Sequence, residues 1–441
     1  MARILVVKPF FPYPPHQGTR RVSLALLEDL ATEHEVVYLC QLEDRAEAAL
    51  IPKLESMGVR VVASLMPNRT TIIHKTLYKL RNRTLSTLTG VPEICLYWAN
   101  RVLRSNLERI VEEFQPDLTI LENWETYGLR RSVRSGIVAL LAHDAAFRIR
   151  ERAADAAKSS AQRARLSAEA RRYKKLEVRS WTLFDAVLSL TEDDRATIER
   201  ELSGREEHMG SEEHSGSDSS HGQTPDIPLD HSGSHPIVRH LPVPVPGELF
   251  SRQRPTQPGL KVGFMGSFRA DFNLDALTYL LREIWPVLKR RTPGAELVLA
   301  GNGYDGPLKH EAQQLGARWM GFVEQIGAFF ESIDALLVPL RFGGGVRIRI
   351  LEALAAGVPV VATPVAVAGL EIEDGQHCAV ASGPTAIAEA VSQLLANPQE
   401  AKALGKEGRQ WCWKHHSPEV LRPVRLAVVQ EILKLGLRGV Q

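Results

Sequence analysis

Cysteine is scarce in this chain, and its placement excludes two common ways of stabilising a small domain. The 441 residues include four cysteines, which lie far apart in the sequence: Cys40, Cys95, Cys378 and Cys412. Because none of them has a partner at metal-ligand spacing, the sequence argues against a zinc site and against a disulfide scaffold. Unpaired cysteines are typical of a reducing compartment, so we expect a cytoplasmic protein.

Long hydrophobic runs and an excess of one charge are also missing. The first apolar run, Ile4–Val7, is too short for a signal peptide, and no stretch approaches the roughly 18 apolar residues that span a bilayer. Lys and Arg number 54 against 52 Asp and Glu, so nucleic acid is not indicated as a partner. The length and the 44% apolar content predict a soluble protein of two or three domains.

Short apolar runs alternate with helix-length segments, which is typical of βαβ units and parallel sheets. In the first half, the predicted strands are Ile4–Val7, Glu35–Cys40, Val59–Ala63, Leu118–Leu121, Ile137–Ala142 and Ala186–Leu190. In the second half, they are Lys261–Met265, Glu296–Ala300, Ala335–Pro339 and Val358–Ala362. We therefore predict an α/β fold with two doubly wound domains, each built on its own sheet.

The segment between the two halves, 203–235, is rich in Gly, Ser, Glu and His and has few apolar residues. Such a segment cannot bury a core, so we expect a disordered insertion. Its histidines leave a metal-binding tail as an alternative, although their irregular spacing favours a solvated insertion. The predicted organisation is an N-terminal domain, this insertion, a C-terminal domain and a terminal helix, with the bounds 1–202, 203–235, 236–417 and 418–441.

The stretch Leu337–Thr363 carries the most chemistry. An apolar strand leads into three glycines, two arginines follow at the start of a helix, and one carboxylate lies on that helix: Gly343, Gly344, Gly345, Arg347, Arg349 and Glu352. Glycines let backbone N–H groups approach phosphate, a helix N-terminus attracts anions, and arginines add positive charge. A glutamate on the helix can accept hydrogen bonds from two ribose hydroxyls. This layout predicts a site for a nucleoside diphosphate.

The chain resembles bacterial glycosyltransferases of the GT-B fold, of the family 4 (glycosyl transferases group 1) type. Four segments carry the resemblance: the opening strand and glycine loop of 1–21, the strand and helix Phe264–Leu277, the middle strands Leu299–Gly303 with Gly321–Val323, and the donor motif Gly343–Thr363. The resemblance implies two Rossmann-like domains that face a cleft. It also implies that the C-terminal domain holds most of a sugar nucleotide, that the N-terminal domain binds the acceptor, and that the terminal helix crosses back to the N-terminal domain.

The resemblance implies a retaining hexosyltransferase that transfers a sugar from a UDP- or GDP-sugar to a hydroxyl of a glycan or lipid-linked acceptor. The implied setting is bacterial surface polysaccharide or glycoconjugate assembly. Two alternatives share the fold: a sugar-nucleotide 2-epimerase and a non-catalytic subunit that binds nucleotide sugars.

The donor motif departs from the common family pattern in one acidic position. That pattern has two glutamates, and counting eight residues back from Glu352 gives Gly344, so the first acid is missing. The segment resembles a subgroup with a Gly-Gly-Gly-x-Arg-x-Lys pattern, in which Arg349 replaces the lysine. No Asp-x-Asp follows a predicted strand, so we expect neither a metal nor another cofactor. The predicted diphosphate ligands are Gly18, Gly343, Gly344, Gly345, Arg347 and Arg349.

Helix spacing separates the roles of the two arginines. Arg349 lies three residues before Glu352 and shares its helix face, so an internal ion pair is the alternative to a phosphate contact. Arg347 lies off that face, which makes it the preferred phosphate ligand. Gly18 follows the first strand and precedes a helix, where it can approach a phosphate or simply permit a turn.

Polar residues that follow strands supply the remaining candidates. His143 and Asp144 follow Ile137–Ala142 at the edge where parallel sheets bind ligands, so we predict that they form the catalytic pair. The alternative is a histidine bound to a backbone carbonyl and an aspartate that caps the next helix. Glu122 and Asn123 are acceptor candidates. The predicted nucleobase contacts are Asn302, Gly303, Phe322 and Val323.

The segment Arg69–Val91 interleaves leucines with lysines and arginines and has no acidic residue. Such a pattern fits contact with an anionic membrane surface, and it fits an ordinary basic helix face equally well. We therefore expect a cytoplasmic location, with the inner face of the cell membrane as a further place of contact through 69–91.

Overall fold

The computed structural model describes residues 1–15, 17–66, 72–157, 159–212, 235–254, 259–302 and 304–438 of the chain. These residues form two α/β domains, each built on one sheet, as the alternating pattern predicts. Strands of both sheets are apolar along most of their length because helices cover both faces, and Ile4 to Val7 have no exposed surface.

The N-terminal domain has a seven-stranded sheet in the order β3-β2-β1-β4-β5-β6-β7. The strands run parallel, and Val6 in the centre pairs with Tyr38 on one side and Ile120 on the other. The order reverses between β1 and β4, and ligands of doubly wound sheets bind at such a switch point. The strand bounds are β1 Arg3–Val7, β2 Glu35–Leu42, β3 Val59–Leu65, β4 Leu118–Glu122, β5 Ile137–Ala142, β6 Ala186–Ser189 and β7 Ile237–His240.

The C-terminal domain has a six-stranded parallel sheet in the order β10-β9-β8-β11-β12-β13. Its switch point lies between β8 and β11, so the segments that follow these two strands meet at the same edge. The strand bounds are β8 Lys261–Met265, β9 Glu296–Ala300, β10 Arg318–Gly321, β11 Ala335–Val338, β12 Val360–Ala362 and β13 Ala379–Val380.

Helices flank both sheets. The first domain contains α1 Gly18–Leu30, α2 Ile51–Glu55, α3 Ile72–Thr89, α4 Glu93–Trp98, α5 Arg101–Phe114, α6 Ala146–Asp155, α7 Ser160–Trp181 and α8 Glu192–Glu212. The second contains α9 Asp271–Tyr279, α10 Trp285–Arg291, α11 Pro307–Gln314, α12 Ile326–Glu331, α13 Ile348–Ala355, α14 Pro364–Val367, α15 Pro384–Ala396 and α16 Pro398–His416. The last helices are α17 Pro418–Leu433 and α18 Leu435–Arg438. No helix in the described part of the chain is both long enough and apolar enough to cross a bilayer.

The region around the predicted insertion differs from the prediction at both ends. Helix α8 continues to Glu212, ten residues into the segment predicted to be disordered, while residues 213–234 lie outside the described part. Strand β7 then pairs in parallel with β6, so Ile237–His240 completes the N-terminal sheet. The C-terminal domain therefore begins after this strand rather than at residue 236. A four-residue strand is too short for its pattern to reveal which sheet it joins.

The terminal helix α17 returns to the N-terminal domain, as the GT-B resemblance implies. Arg425 has 1% exposure and donates from Nε to Asp29 of α1 at 2.6 Å, and Arg422 donates to the same carboxylate at 3.0 Å. Arg425 also donates to the carbonyl of Pro242 at 2.6 Å. A buried guanidinium with these partners fixes the position of the helix on α1.

Candidate active site

A cavity of about 410 Å³ lies between the two domains. Its N-terminal wall is formed by the start of α1 and by the residues after β5, and its C-terminal wall by the segments after β8 and β11. Both walls are carboxyl ends of parallel strands, where ligands of α/β sheets bind. The volume falls in the range of small-molecule sites. Predicted site residues that line it are Gly18, His143, Asp144, Gly344, Gly345, Arg347, Arg349 and Glu352.

Two helix N-termini, those of α1 and α13, meet in this cavity. The first N–H groups of a helix have no partner within the helix and attract anions. A Cβ on Gly18, the first residue of α1, would lie 3.2 Å from Cδ1 of Ile348, the first residue of α13. Gly18 has no left-handed backbone, so the close approach of the two domains, rather than a turn, is what favours glycine here.

The three glycines that precede α13 pack against the first domain. Gly343 and Gly345 have φ values of 136° and 69°, which favour glycine. A Cβ on Gly344 would lie 2.5 Å from Cγ1 of Ile149, and Arg152 of the same helix donates to the carbonyl of Gly343 at 2.7 Å. Ile149 therefore leaves no space for a side chain at residue 344. A glutamate at this position, as in the family that the chain resembles, would therefore overlap Ile149.

The two arginines of the motif both donate to backbone carbonyls. Arg347 donates from Nη1 to the carbonyls of Gly344 and Gly345, and its buried Nε has no hydrogen-bond partner among the described residues. Arg349 donates to the carbonyl of Met265 at 2.7 Å and to Oδ1 of Asn273 at 2.8 Å. Burial lowers the pKa of both guanidiniums to about 10. Because their partners are mostly neutral, anionic ligands would gain strongly from these charges.

Glu352 does not pair with Arg349, so the ion pair that helix spacing offered as an alternative is not formed. Its carboxylate instead lies 2.5 Å from Nη1 of Arg21, in the other domain. Burial raises the pKa of Glu352, and Arg21 and Arg349 oppose that rise. Arg20 points away from the cavity and pairs with Glu47 at 2.9 Å.

His143 is held by a buried carboxylate rather than by a backbone carbonyl. Its Nε2 lies 3.0 Å from Oε2 of Glu122, which has no exposed surface. The same oxygen accepts from Lys8 at 2.8 Å and from Ser23 at 2.7 Å. Burial alone would raise the pKa of Glu122, but Lys8 and His143 lower it to about 2. Glu122 therefore supports His143, and its contact with an acceptor stays a prediction.

Asp144 does not cap the following helix, which was the structural alternative to a catalytic role. Glu177 performs that task by accepting from the N–H groups of Ala146 and Phe147, each at 2.9 Å. Burial and the nearby Asp194 raise the pKa of Asp144 to about 6, although Arg347 acts in the opposite direction. Asp144 is thus a cavity-lining carboxyl group that titrates near neutrality, which suits proton transfer or hydroxyl orientation.

The remaining predicted contacts lie outside the cavity lining. Asn302, Phe322 and Val323 do not line it, although the carbonyl of Asn302 accepts from Phe268 beside the β8 segment. Gly303 lies outside the described residues. Asn123 is 8% exposed and does not line the cavity. The nucleobase and acceptor assignments of these residues therefore remain predictions.

Several residues of the cavity region were not singled out from the sequence. Lys8 carried one usable signal, since it is a cation at the end of a buried strand. Ser23 lies on the inner face of α1 and carried none. Ile149 and Arg152 act across the domain boundary, and sequence position does not reveal such contacts.

Comparison with known proteins finds a family match within the C-terminal domain and relatives that share part of the sequence. Residues 259–397 match the family described as Glycosyl transferases group 1. A GDP-mannose-dependent alpha-(1-6)-phosphatidylinositol monomannoside mannosyltransferase of Mycolicibacterium smegmatis is 37% identical over 141 residues, which cover 29% of this chain and 37% of that protein. A putative glycosyltransferase, EpsD of Bacillus subtilis, is 29% identical over 157 residues, 33% of this chain and 40% of that protein. The chain thus matches well under half the length of these curated relatives.

Similarity to solved structures extends over the whole chain. Sucrose-phosphate synthase from Thermosynechococcus elongatus has a TM-score of 0.68 at 14% identity, covering 99% of this chain and 100% of that one. HepE of Anabaena, in complex with UDP and glucose, has a TM-score of 0.64 at 12% identity, covering 98% and 100%. At such low identity the similarity concerns the fold. Residues 259–397 of this chain therefore match group 1 glycosyl transferases in sequence, and the chain as a whole has the two-domain GT-B fold.

Proposed function

We propose that the protein is a retaining glycosyltransferase that moves a hexose from a UDP- or GDP-sugar to a hydroxyl of a glycan or lipid-linked acceptor. One observation carries the proposal: a single cavity between the domains collects two helix N-termini, Arg347, Arg349 and the buried Glu352. The helix N-termini and the arginines suit a diphosphate, and the carboxylate suits the hydroxyls of a ribose. The match to group 1 glycosyl transferases supports the same reaction class.

The diphosphate would lie between the N-termini of α1 and α13. There, backbone N–H groups of both helices can donate to its oxygens. Arg347 would exchange its carbonyl partners for phosphate, a stronger acceptor because it is charged. The departing diphosphate gains negative charge in the transition state, and these fixed donors stabilise it. We therefore propose turnover without a divalent cation.

The ribose would lie at Glu352, whose carboxylate can accept two hydroxyl hydrogen bonds. Arg21 occupies this carboxylate in the structure, so a ribose has to displace it. The freed guanidinium lies on the first turn of α1, within reach of the proposed diphosphate position. One relative is described as GDP-mannose-dependent, and one structural neighbour is a complex with UDP. The proposal therefore includes both guanine and uracil as the nucleobase.

His143 and Asp144 would act on the transferring sugar and the acceptor hydroxyl. Both follow β5, on the wall opposite Arg349 and Glu352. A carboxyl group with a pKa near 6 can accept a proton or orient a hydroxyl close to neutral pH.

Turnover of several UDP- and GDP-sugars, with and without simple glycan acceptors, tests the reaction class. Release of free nucleotide that depends on an acceptor supports transfer. Conversion of the donor to its 2-epimer without an acceptor would identify an epimerase. Tight binding without turnover of any donor would identify a binding subunit. The same assay in excess chelator tests the metal proposal, and loss of rate that magnesium or manganese restores would contradict it.

We also propose peripheral contact of helix α3 with an anionic membrane, which would bring a lipid-linked acceptor to the cleft. Leu77, Leu80 and Leu88 are 58%, 61% and 76% exposed, and the exposed Lys79 and Arg83 lie between them. Apolar and cationic groups on one helix are the features of an interfacial helix. Sedimentation with vesicles of phosphatidylcholine, with and without phosphatidylglycerol, tests this.

The variant for this vesicle test replaces all three leucines with serine, and Leu315→Ser, at a leucine with 40% exposure in the other domain, is the control. We expect the triple variant to lose sedimentation with anionic vesicles and the control to retain it. Equal sedimentation of both variants would contradict the membrane proposal.

A further inference from the structure

The buried network beneath His143 contains a lysine that sequence reasoning did not single out. Lys8 follows β1 and has no exposed surface. Its Nζ donates to Oγ of Ser23 at 2.5 Å, to the carbonyl of Thr19 at 2.7 Å and to Oε2 of Glu122 at 2.8 Å. Lys8 directly follows β1 and Glu122 is the last residue of β4, so the pair lies at the switch point of the N-terminal sheet.

The hydrogen bonds of Glu122 determine which ring nitrogen of His143 carries a proton. Oε2 of Glu122 accepts from Lys8 and Ser23, while Oε1 has no hydrogen-bond partner among the described residues. An ionised carboxylate only accepts hydrogen bonds, so the ring nitrogen 3.0 Å away has to carry a proton. Lys8 lies 3.5 Å from the same nitrogen, too far for a normal hydrogen bond.

The opposite ring nitrogen, Nδ1, is therefore the one left for a ligand. A neutral imidazole with a proton on Nε2 has a lone pair on Nδ1, which accepts a hydrogen bond. His143 lines the cavity, so its ring is within reach of hydroxyl groups bound there. Burial and the charge of Lys8 lower the pKa of His143 to about 4, although Glu122 opposes this. His143 is thus neutral at physiological pH.

We propose that Lys8 is a positioning residue that fixes His143 as the Nε2-protonated, neutral tautomer and ties it to the start of α1. The second link is the hydrogen bond to Thr19, which follows Gly18 in the cavity wall. One buried cation thereby holds both N-terminal parts of the site in register. The proton on Nε2 follows from the contact with Glu122, the neutral form follows from burial of the ring beside the charge of Lys8, and the effect on turnover rests on the proposed glycosyl transfer.

A purely structural ion pair would behave differently on substitution. Replacing a buried ion pair by apolar residues of similar volume is often neutral or stabilising. If Lys8 and Glu122 served only the fold, the double variant Lys8→Met, Glu122→Leu would keep its activity. The proposal requires that this variant stays folded and loses turnover, because His143 then lacks the acceptor for its Nε2 proton.

The test combines imidazole NMR and kinetics on the full chain. With ¹⁵N-labelled histidine, the signals of His143 are assigned by their loss in His143→Gln. In the wild type we expect the Nε2–H tautomer and no protonation above about pH 5. In Lys8→Met we expect protonation of His143 at higher pH, because the repelling cation is gone. Its kcat should fall about 10- to 100-fold, the range seen when partners that orient metal-bound histidines are removed.

Each result of this test has a defined meaning. An Nδ1–H tautomer in the wild type would overturn the proposal, and so would a Lys8→Met variant with unchanged His143 titration and kcat. If Lys8→Met does not fold, the double variant decides, and full activity there overturns the proposal. If the wild type turns over no sugar nucleotide, the proposed function fails while the NMR result on the tautomer still stands.

Discussion

The two walls of the cleft hold their charged groups in contrasting ways. On the C-terminal wall, Arg347 and Arg349 donate mainly to backbone carbonyls, which a charged ligand can replace. Behind the N-terminal wall, Lys8 and Glu122 form a buried ion pair that also holds His143, which is part of the wall. A neutral partner is given up at low free-energy cost, whereas breaking a buried ion pair is costly. For the proposed sugar nucleotide, the comparison predicts a C-terminal wall that adapts to the ligand and an N-terminal wall that is preorganised.

The largest expected effect concerns the preorganised wall. We expect His143→Ala and Asp144→Ala to lower kcat by about 10²–10⁴, the usual contribution of a positioned acid–base group. Nucleotide affinity should change far less, because groups that act on the transferring sugar contribute mainly in the transition state. Steady-state kinetics with calorimetric UDP or GDP titration measures both.

For that pair of variants, Arg148→Ala on the outer face of α6 is the control. Its side chain contacts Thr197 at 2.7 Å and does not line the cavity, so its kinetics should match the wild type. Near-normal kcat in both His143→Ala and Asp144→Ala would place the catalytic groups elsewhere and remove the contrast between the walls.

The next effect concerns the adaptable wall. We expect Glu352→Ala to weaken nucleotide binding by about 100-fold, since hydrogen bonds to a charged group contribute about 1.5–3 kcal/mol each. The displacement of Arg21 reduces the net gain below the sum of two such bonds. Calorimetric titration with UDP and GDP measures the loss, with the exposed Glu407→Ala as the control. Unchanged affinity in folded Glu352→Ala protein would refute the ribose assignment.

The C-terminal wall was easier to predict from the sequence than the N-terminal wall, because the two walls are assembled differently. The C-terminal wall comes largely from one contiguous stretch, so Gly344, Arg347 and Glu352 could be identified from their spacing. On the N-terminal wall, His143 is supported by Lys8 and Glu122, which lie outside the cavity lining at two other strand ends, and only the strand pattern hinted that the three meet. Both sheets were predicted because most of their strands are short apolar runs separated by helix-length segments.

Contacts between the two domains could not be predicted from the sequence. Helix spacing correctly made Arg349 and Glu352 neighbours, but it could not show that Asn273 and Arg21 would be their partners. These partners depend on how the two domains are placed, which no local pattern contains. The strand β7 was missed for a related reason, since four residues are too few to indicate a sheet.

A smaller effect is expected from restoring the missing acid. Gly344→Glu places a side chain where a Cβ already lies 2.5 Å from Ile149. We expect a loss of about 1–3 kcal/mol in the free energy of unfolding, the usual result of overpacking. Combining it with Ile149→Ala should recover part of that loss. Chemical denaturation of the single and double variants measures this, and an unchanged stability of Gly344→Glu would show that the domains separate without cost.

The titration of Asp144 gives a pH-dependent effect on stability. Its pKa is raised from 3.8 to about 6, so between these values the folded state binds more protons than the unfolded state. Stability contributed by this group is therefore present at low pH and lost as pH rises through about 6. We expect Asp144→Asn to stabilise the protein at pH 7.5 by about 1–2 kcal/mol and to have little effect near pH 4. Denaturation curves at both pH values test this, and an equal effect at the two would contradict it.

The smallest effect concerns Arg21, which connects the two walls. It lies on α1 of the N-terminal domain but pairs with Glu352 of the C-terminal domain at 2.5 Å, where the ribose is proposed to bind. If the guanidinium competes with the ribose, Arg21→Met should bind uridine or guanosine severalfold more tightly, since these nucleosides lack the phosphates that could engage Arg21. Binding of UDP and GDP should change less, because lost competition and a lost phosphate contact oppose each other. Calorimetric titration of nucleoside and nucleoside diphosphate separates the two terms. Weaker nucleoside binding by Arg21→Met would mean that Arg21 supports the ribose site, and Glu352 would then belong to a wall fixed before the ligand arrives.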